Sequence, residues 1–433
     1  MGDESADEYY IQAGSTRLDT PLHPATLGCN GLEINKLLAT TGDVALDYGF
    51  GNTANCESSI TYIDGANGIL RYRGYPIEEL ARESSFVEVA YLLIYGELPD
   101  RATLDLFTHR VKHNRLLPED FLAFFGAFPS KGHPMSVLQA GVAGLATYYE
   151  DTLNPLDPEQ LEAATFQLLG KVPTMVAMIA KRAEGLPTLY PDSSRELTED
   201  FIRMTFGLPY QSYDIDPVLI HALDTLFILH ADHEQNCSTS TARFVGSSRA
   251  NLYASVASAI GALSGPLHGG ANEAVLRMLM QMEDTDMTVA EFVEKVKTKA
   301  EGVKLMGFGH RVYKSYDPRA AIVKESAHDV LSRLGKADRL LDLALELEEV
   351  ALNDDYFVSR HLYPNVDFYT GLIYRAMGFR MKMFTPLFAI GRLPGWIAQY
   401  REMITDPSTR ITRPRQVYVG AAERHYRQES AGS

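Results

Sequence analysis

Leu263-Ser264-Gly265-Pro266-Leu267-His268-Gly269-Gly270-Ala271-Asn272-Glu273 carries a histidine out of a turn and onto the start of a helix. Gly265 and Pro266 set the turn, the Gly269-Gly270 pair lets a ligand approach the backbone, and Ala274, Leu276, Leu279 and Met280 begin a helical period. A helix N-terminus carries partial positive charge, so an imidazole placed there is expected to stay neutral at pH 7 and to act as a hydrogen-bond donor. Taken alone, the pattern equally suits a histidine that only caps a helix. The reading therefore turns on the rest of the chain.

With 433 residues and 45% apolar side chains, the chain has room for two domains, or for one large domain with an insertion. Residues 1–10 are acidic and lack an apolar stretch, so no signal peptide is expected. The longest uncharged run, 250–272, is interrupted by Ser, Gly, Asn and His268 and reads as a helix buried in protein, not a membrane span. Cys29, Cys56 and Cys237 are odd in number and far apart, which argues against a disulfide framework and for a reducing cytoplasm. A net charge of -16 argues against nucleic acid or an anionic membrane as partner. Cations nevertheless cluster at Lys304, Arg311, Lys314 and Arg319, and again from Arg375 through Arg380, Lys382, Arg392, Arg401, Arg410, Arg413 and Arg415. Such islands in an acidic protein suit anion-binding sites.

Residues 25–72 read as short strands separated by Gly and Asn-Gly punctuation. Helical spacing follows: 86–95, stopped by Gly96 and Pro99; 161–184, with Pro173 expected to kink or divide it; 216–233 as one helix; the amphipathic 337–350; and a helix from Asn365 to near Gly378. No strand alternation follows residue 75, so the body is predicted to be mainly all-α. Hinge candidates are the turns at 265–270 and after Met377.

Three segments carry chemistry. His230, His233 and Cys237 stand at i, i+3 and i+7, which on a continuous helix gives a possible metal stripe; buried, hydrogen-bonded histidines are the alternative. Gly307-Phe308-Gly309-His310-Arg311-Val312-Tyr313-Lys314 is a glycine loop with a histidine and cations. It fails the Walker pattern, but Arg311 and Lys314 can meet phosphates, and Arg319 can grip a carboxylate bidentately. Asp367 begins a helix, where it either caps the backbone or serves as a base whose pKa is raised by Phe368 and Tyr369.

Taken together, the segment from His230 to Asn236, the His268 turn, the His310 loop and Asn365-Val366-Asp367 resemble citrate synthase in identity, order and spacing over essentially the whole chain. The strand-rich start resembles the longer Gram-negative bacterial subfamily, whose members are commonly hexamers. The resemblance implies a two-domain, mainly all-α fold with a short N-terminal β-rich segment (1–72), a large helical domain (73–272 and 379–433) and a small one (273–378). It implies condensation of acetyl-CoA with oxaloacetate to citrate and CoA, with acetyl-CoA as co-substrate, no tightly bound cofactor and no metal. His268 would stabilise the enol, Asp367 would remove the methyl proton and His310 would protonate the oxaloacetate carbonyl.

It also assigns His233, Arg319, Arg392 and Arg413 to oxaloacetate, Arg413 coming from the neighbouring subunit, with Arg410 and Arg415 as rivals for that place. Lys304, Leu305, Met306, Gly307, Phe308, Gly309, Arg311 and Lys314 are assigned to CoA. A homodimer would be the smallest competent unit and a hexamer of three dimers the full assembly. Tyr210 stands where many members of the subfamily carry a reactive cysteine near an NADH site, which puts NADH control in doubt. Competing readings are 2-methylcitrate synthase using propionyl-CoA, a metal-dependent hydrolase on His230, His233 and Cys237, and a ligand-binding regulator without catalysis.

Overall fold

A computed structural model describes residues 9–335 and 339–426, so residues 1–8 of the acidic start and the first two positions of the expected 337–350 helix lie outside the described residues. The chain divides into two compact units, one made of the described residues up to Glu57 together with those from Thr412 onward, the other Ser58–Ile411.

The terminal unit holds the hairpin Tyr10–Ala13 with Thr16–Asp19, paired antiparallel from Tyr10↔Asp19 to Ala13↔Thr16, and the short ladder Leu22–His23 with Gly31–Leu32. Its strands thus begin before residue 25, and the expected strand run is interrupted by the helix Leu37–Thr41 and a 3-10 turn at Tyr48–Phe50. Among its described residues only Leu18 and Thr20 are buried.

The Ser58–Ile411 unit opens with a three-stranded antiparallel sheet, Thr61–Asp64, Ile69–Tyr72 and Tyr75–Pro76, in sequential order with Thr61 opposite Tyr72. Helices make up the rest, as the missing alternation implied. Three of them start on Asp-Pro, at Asp157-Pro158, Asp216-Pro217 and Asp317-Pro318, and in each the Asp side chain accepts backbone N–H groups of the first turn. Proline suits the first helical position because its missing N–H would have had no partner there, and the cap stabilises by about 1 kcal/mol. The Phe86–Tyr95 helix stops at Gly96, as expected.

Tertiary context decides two of the expectations. At Pro173, expected to kink or divide its helix, division does not occur: Pro158–Ala183 is one element, with Pro173 buried in the core. This helix is long and apolar enough to cross a membrane, but 89% of its apolar window is buried inside the protein. The expected 216–233 helix instead ends at His230: the chain leaves it at Ala231, turns through Glu234 at φ 50, and restarts at Cys237 with Asn236 as cap.

The Phe384–Thr405 helix is buried over most of its length and packs against Phe86–Tyr95, Pro217–His230, Cys237–Gly246 and Leu252–Leu263. Arg392 and Trp396 therefore project from its middle into the core.

Candidate active site

His268 lies in the turn between the helices Leu252–Leu263 and Ala271–Asp284, as expected. The positive helix end that meets its ring is a different one from that predicted. The Ala271–Asp284 helix has no side-chain cap, while Ser238, in the first turn of Cys237–Gly246, presents its backbone N–H to His268 Nε2 at 3.3 Å. A backbone N–H can only donate, so Nε2 carries the lone pair and the proton sits on Nδ1. The Ser238 hydroxyl lies 2.8 Å from Nε2 and 2.8 Å from Asn236 Oδ1, and accepts the indole N–H of Trp396 at 3.1 Å. Burial, reinforced by the charge of Arg392, presses the His268 pKa down to about 4.

His310 is held by its own loop, its Nδ1 accepting the N–H groups of Val312 at 3.0 Å and Tyr313 at 3.2 Å. Its proton is therefore on Nε2. Burial and the Arg319 charge lower its pKa to about 4. The loop is stitched to the segment before Asp367: Gly309 N–H donates to Tyr363 O at 2.8 Å, Asn365 N–H to Gly307 O at 2.9 Å and Asn365 Nδ2 to Gly309 O at 3.0 Å. Gly307 adopts φ 78, and a Cβ there would meet Val275 Cγ2 at 2.6 Å, so only glycine fits.

Asp367 is the first residue of the Asp367–Ala376 helix and does not cap it. Phe368 and Tyr369 beside it are fully buried. Burial raises its pKa to about 6, outweighing the opposing charges of Arg319 and Arg392.

The two arginines frame the site. Arg319 spends its fork on Asp317, Nε at 3.0 Å and Nη2 at 2.9 Å, so the bidentate grip expected for a ligand is taken by the protein's own carboxylate. The other Asp317 bonds cap the Arg319 helix and accept Val366 N–H at 3.2 Å, joining that helix to the start of the Asp367 helix. Arg392 donates Nε to His230 O at 2.6 Å, and its buried Nη1 has no hydrogen-bond partner. Burial lowers the Arg392 pKa to about 10.

His233 faces His310 with ring centroids 5.2 Å apart, and both rings pack on Tyr313. Burial first, then the Arg319 charge, keeps His233 neutral, and its buried Nε2 has no partner.

The metal stripe dissolves, because His230 ends one helix, His233 sits in the following turn and Cys237 opens the next helix. His230 Nδ1 is spent on Leu226 O at 2.7 Å. Among the described residues no group of three or more His, Cys, Asp or Glu side chains is placed to hold a metal. Lys304, Arg311 and Lys314 are exposed, while Leu305, Met306, Phe308 and Gly309 are half-buried and Gly307 is buried. Arg413 and Arg415 lie exposed in the terminal unit, and Arg410 folds back on Pro407 O and Thr409 O, both at 2.9 Å. Ser238 and Asp317 were missed as site residues. Asp317-Pro318 had a cap signature that could have flagged it; Ser238 had none.

Two neutral imidazoles, a carboxyl group with a raised pKa and two buried guanidinium groups define a class of enzyme that takes a proton from beside a carbonyl and holds an anionic partner. A family model described as "Citrate synthase, C-terminal domain" matches residues 49–415. Citrate synthase 1 of Mycobacterium tuberculosis is 59% identical over 409 residues, 94% of this chain and 95% of that protein. The citrate synthase of Corynebacterium glutamicum is 57% identical over 403 residues, 92% of each. Among solved structures, citrate synthase from Pyrobaculum aerophilum superposes with TM-score 0.81 at 36% identity, covering 99% of both chains. The Thermoplasma acidophilum citrate synthase, a ternary complex with carboxymethyl coenzyme A and oxaloacetate, gives TM-score 0.81 at 30% identity over 89% of this chain and 99% of that one.

The chain belongs to the citrate synthase family. It is an acyltransferase that condenses acetyl-CoA with oxaloacetate and water to citrate and CoA; acetyl-CoA is a co-substrate, and no tightly bound cofactor is needed.

Proposed function

We propose that His268, Asp367 and His310 divide the acid–base work of this reaction. The Asp367 carboxylate removes a methyl proton from acetyl-CoA while His268 Nδ1 gives its proton to the thioester oxygen, producing the enol. As the enol carbon attacks the carbonyl carbon of oxaloacetate, the enol O–H proton returns to His268 Nδ1 and the former carbonyl oxygen takes the proton of His310 Nε2, which is made good by the proton held on Asp367. Water cleaves the resulting citryl thioester, releasing citrate and CoA. The observation that carries this assignment is that backbone N–H groups hold His268 Nε2 and His310 Nδ1, leaving a proton on the other nitrogen of each ring, with burial pushing Asp367 up to about 6 and both histidines down to about 4 in the same sense. A base that is ionised and donors that are neutral can then coexist at pH 7.

His233, Arg319 and Arg392 bind oxaloacetate in this reading, with the unpartnered His233 Nε2 and Arg392 Nη1 as the groups on offer. The exposed Lys304, Arg311 and Lys314 meet the phosphates of CoA, and the 304–309 backbone lines its path. Region 273–378 closes on region 73–272 when oxaloacetate binds, keeping the enol from water.

The terminal unit supports a homodimer: it has almost no core of its own, and Leu46, Tyr48, Phe50, Tyr418 and Val419 are all more than half exposed. Arg413, in that unit, serves the partner's active site. Assembly of three dimers into a hexamer follows from the resemblance to the longer subfamily, and the relatives named above come from Mycobacterium and Corynebacterium. A cytoplasmic location fits a chain whose three cysteines are odd in number and far apart in sequence.

Release of CoA from acetyl-CoA, measured with and without oxaloacetate and with EDTA, tests the reading. Turnover should require oxaloacetate and survive chelation; loss on chelation with recovery on added zinc would refute it. Propionyl-CoA in the same assay measures the 2-methylcitrate activity. Sedimentation velocity reads the assembly.

A further inference from the structure

The hairpin Thr61–Asp64 with Ile69–Tyr72 touches both histidine loops of the site, a role that the acid–base chemistry does not use. On one side the buried Tyr72 hydroxyl accepts Asp232 N–H at 3.3 Å and lies within donating reach of Ile228 O at 3.2 Å and Asp232 O at 3.1 Å. Two residues beyond Asp232, Glu234 stands at φ 50, a conformation non-glycine residues rarely adopt, and its Oε1 accepts Ile63 N–H at 3.0 Å. His233 lies between these two anchors. The Glu234 carboxyl is pushed up to about 7 by burial, so this anchor is kept against a desolvation cost.

On the other side the hairpin turn grips the His310 loop. Gly65 O accepts Lys314 N–H at 2.8 Å, and a Cβ on Gly65 would lie 2.2 Å from Val312 O, a contact only glycine permits. Val312 and Tyr313 are the residues whose N–H groups hold His310 Nδ1. The segments that carry His233 and His310 are thus pinned to one stiff antiparallel ladder, and their rings face each other at 5.2 Å.

We propose that this hairpin is a strut that sets the spacing of His233 and His310, with Glu234 and Gly65 as positioning residues for the oxaloacetate side of the site. The proposal rests on the reading of His233 as an oxaloacetate ligand and of His310 as the acid that protonates the oxaloacetate carbonyl. Glu234 acts through His233 and Gly65 through His310, so neither touches substrate.

The test compares Glu234→Ala, Glu234→Gln, Gly65→Ala and His233→Ala in the full-length protein, with Ala66→Ser at the exposed hairpin tip as control. Oxaloacetate binding is read by titration calorimetry, and kcat and the KM for acetyl-CoA by CoA release. Glu234→Ala should weaken oxaloacetate binding by about tenfold, the scale of one lost hydrogen bond to a buried group, with the KM for acetyl-CoA unchanged. Glu234→Gln keeps an oxygen for Ile63 N–H and should stay within about twofold of wild type. Gly65→Ala should lower kcat about tenfold by moving His310, while Ala66→Ser has no effect. If Glu234→Ala and Gly65→Ala behave as wild type while His233→Ala loses oxaloacetate, the strut is refuted. Unchanged binding in His233→Ala would refute the site assignment instead. Should Gly65→Ala not fold, Tyr72→Phe, which removes only the hydroxyl, takes its place; unchanged oxaloacetate affinity there overturns the proposal.

Discussion

The backbone N–H of Ser238 points at Nε2 of His268 from 3.3 Å, across 30 residues of sequence. Because that N–H belongs to the first turn of a helix, it brings both a fixed donor and the positive end of a dipole to one face of the imidazole. The other nitrogen, Nδ1, is left with the proton.

The tautomers are directly measurable. Spectra of protein labelled with 15N-histidine should show His268 as the Nδ1–H form and His310 as the Nε2–H form, both neutral at pH 6, since burial lowers each pKa to about 4. An Nε2–H signal for His268, or charging of either ring near pH 6.5, would contradict the assignment.

Asp367 should trade stability for activity. Its pKa of about 6 in the folded protein lies above the ordinary 3.8, so the folded state holds the proton more tightly than the unfolded chain. The sign follows: the carboxyl favours folding most below about pH 4, and that advantage is lost as pH rises through about 6. At about 1.4 kcal/mol per unit, the ionised group costs roughly 3 kcal/mol at neutral pH. Asp367→Asn should therefore melt higher than wild type at pH 7.5, with the difference fading near pH 4, while kcat falls by roughly 10²-fold. Calorimetric melts across that pH range, paired with kcat, check both halves.

The buried Nη1 of Arg392 has no hydrogen-bond partner, and it is the group proposed to meet oxaloacetate. Arg392→Lys should weaken oxaloacetate by roughly 10- to 100-fold, because a lysine cannot hold His230 O and an anion in the same fixed geometry. Oxaloacetate should raise the melting temperature of wild type and do so far less for the variant. Equal shifts would remove Arg392 from the binding site.

Sharing of Arg413 between subunits predicts complementation. Asp367→Ala and Arg413→Ala, each inactive alone, should recover about a quarter of wild-type activity when co-expressed, since a mixed dimer has one intact site and one doubly damaged site. Protein shown by mass spectrometry to be mixed, yet inactive, would place Arg413 in its own subunit's site.

Much of the site was legible because short-range pattern determines short-range backbone. Gly265 through Gly270 encode the turn that carries His268, and 365–378 encodes the helix that Asp367 opens. Where the pattern was ambiguous over a few residues, the reading went wrong: the spacing of His230, His233 and Cys237 fits one helix, yet the chain breaks it, with Glu234 in a left-handed conformation that its half-buried bond to Ile63 helps hold. Local propensity cannot anticipate a partner 171 residues away.

By itself, the sequence determined the helical body and the membership of the family, and it put forward the groups proposed to react, since these rest on local motifs and their spacing. Only the tertiary structure decided the state of those groups. Which nitrogen of His268 holds the proton depends on Ser238, the fork of Arg319 is spent on Asp317 while that carboxylate also reaches Val366, and the Asp367 pKa rises because the fold buries it. Protonation and hydrogen-bond allegiance are set by desolvation and by neighbours brought from distant positions, and those quantities exist only once the chain has packed.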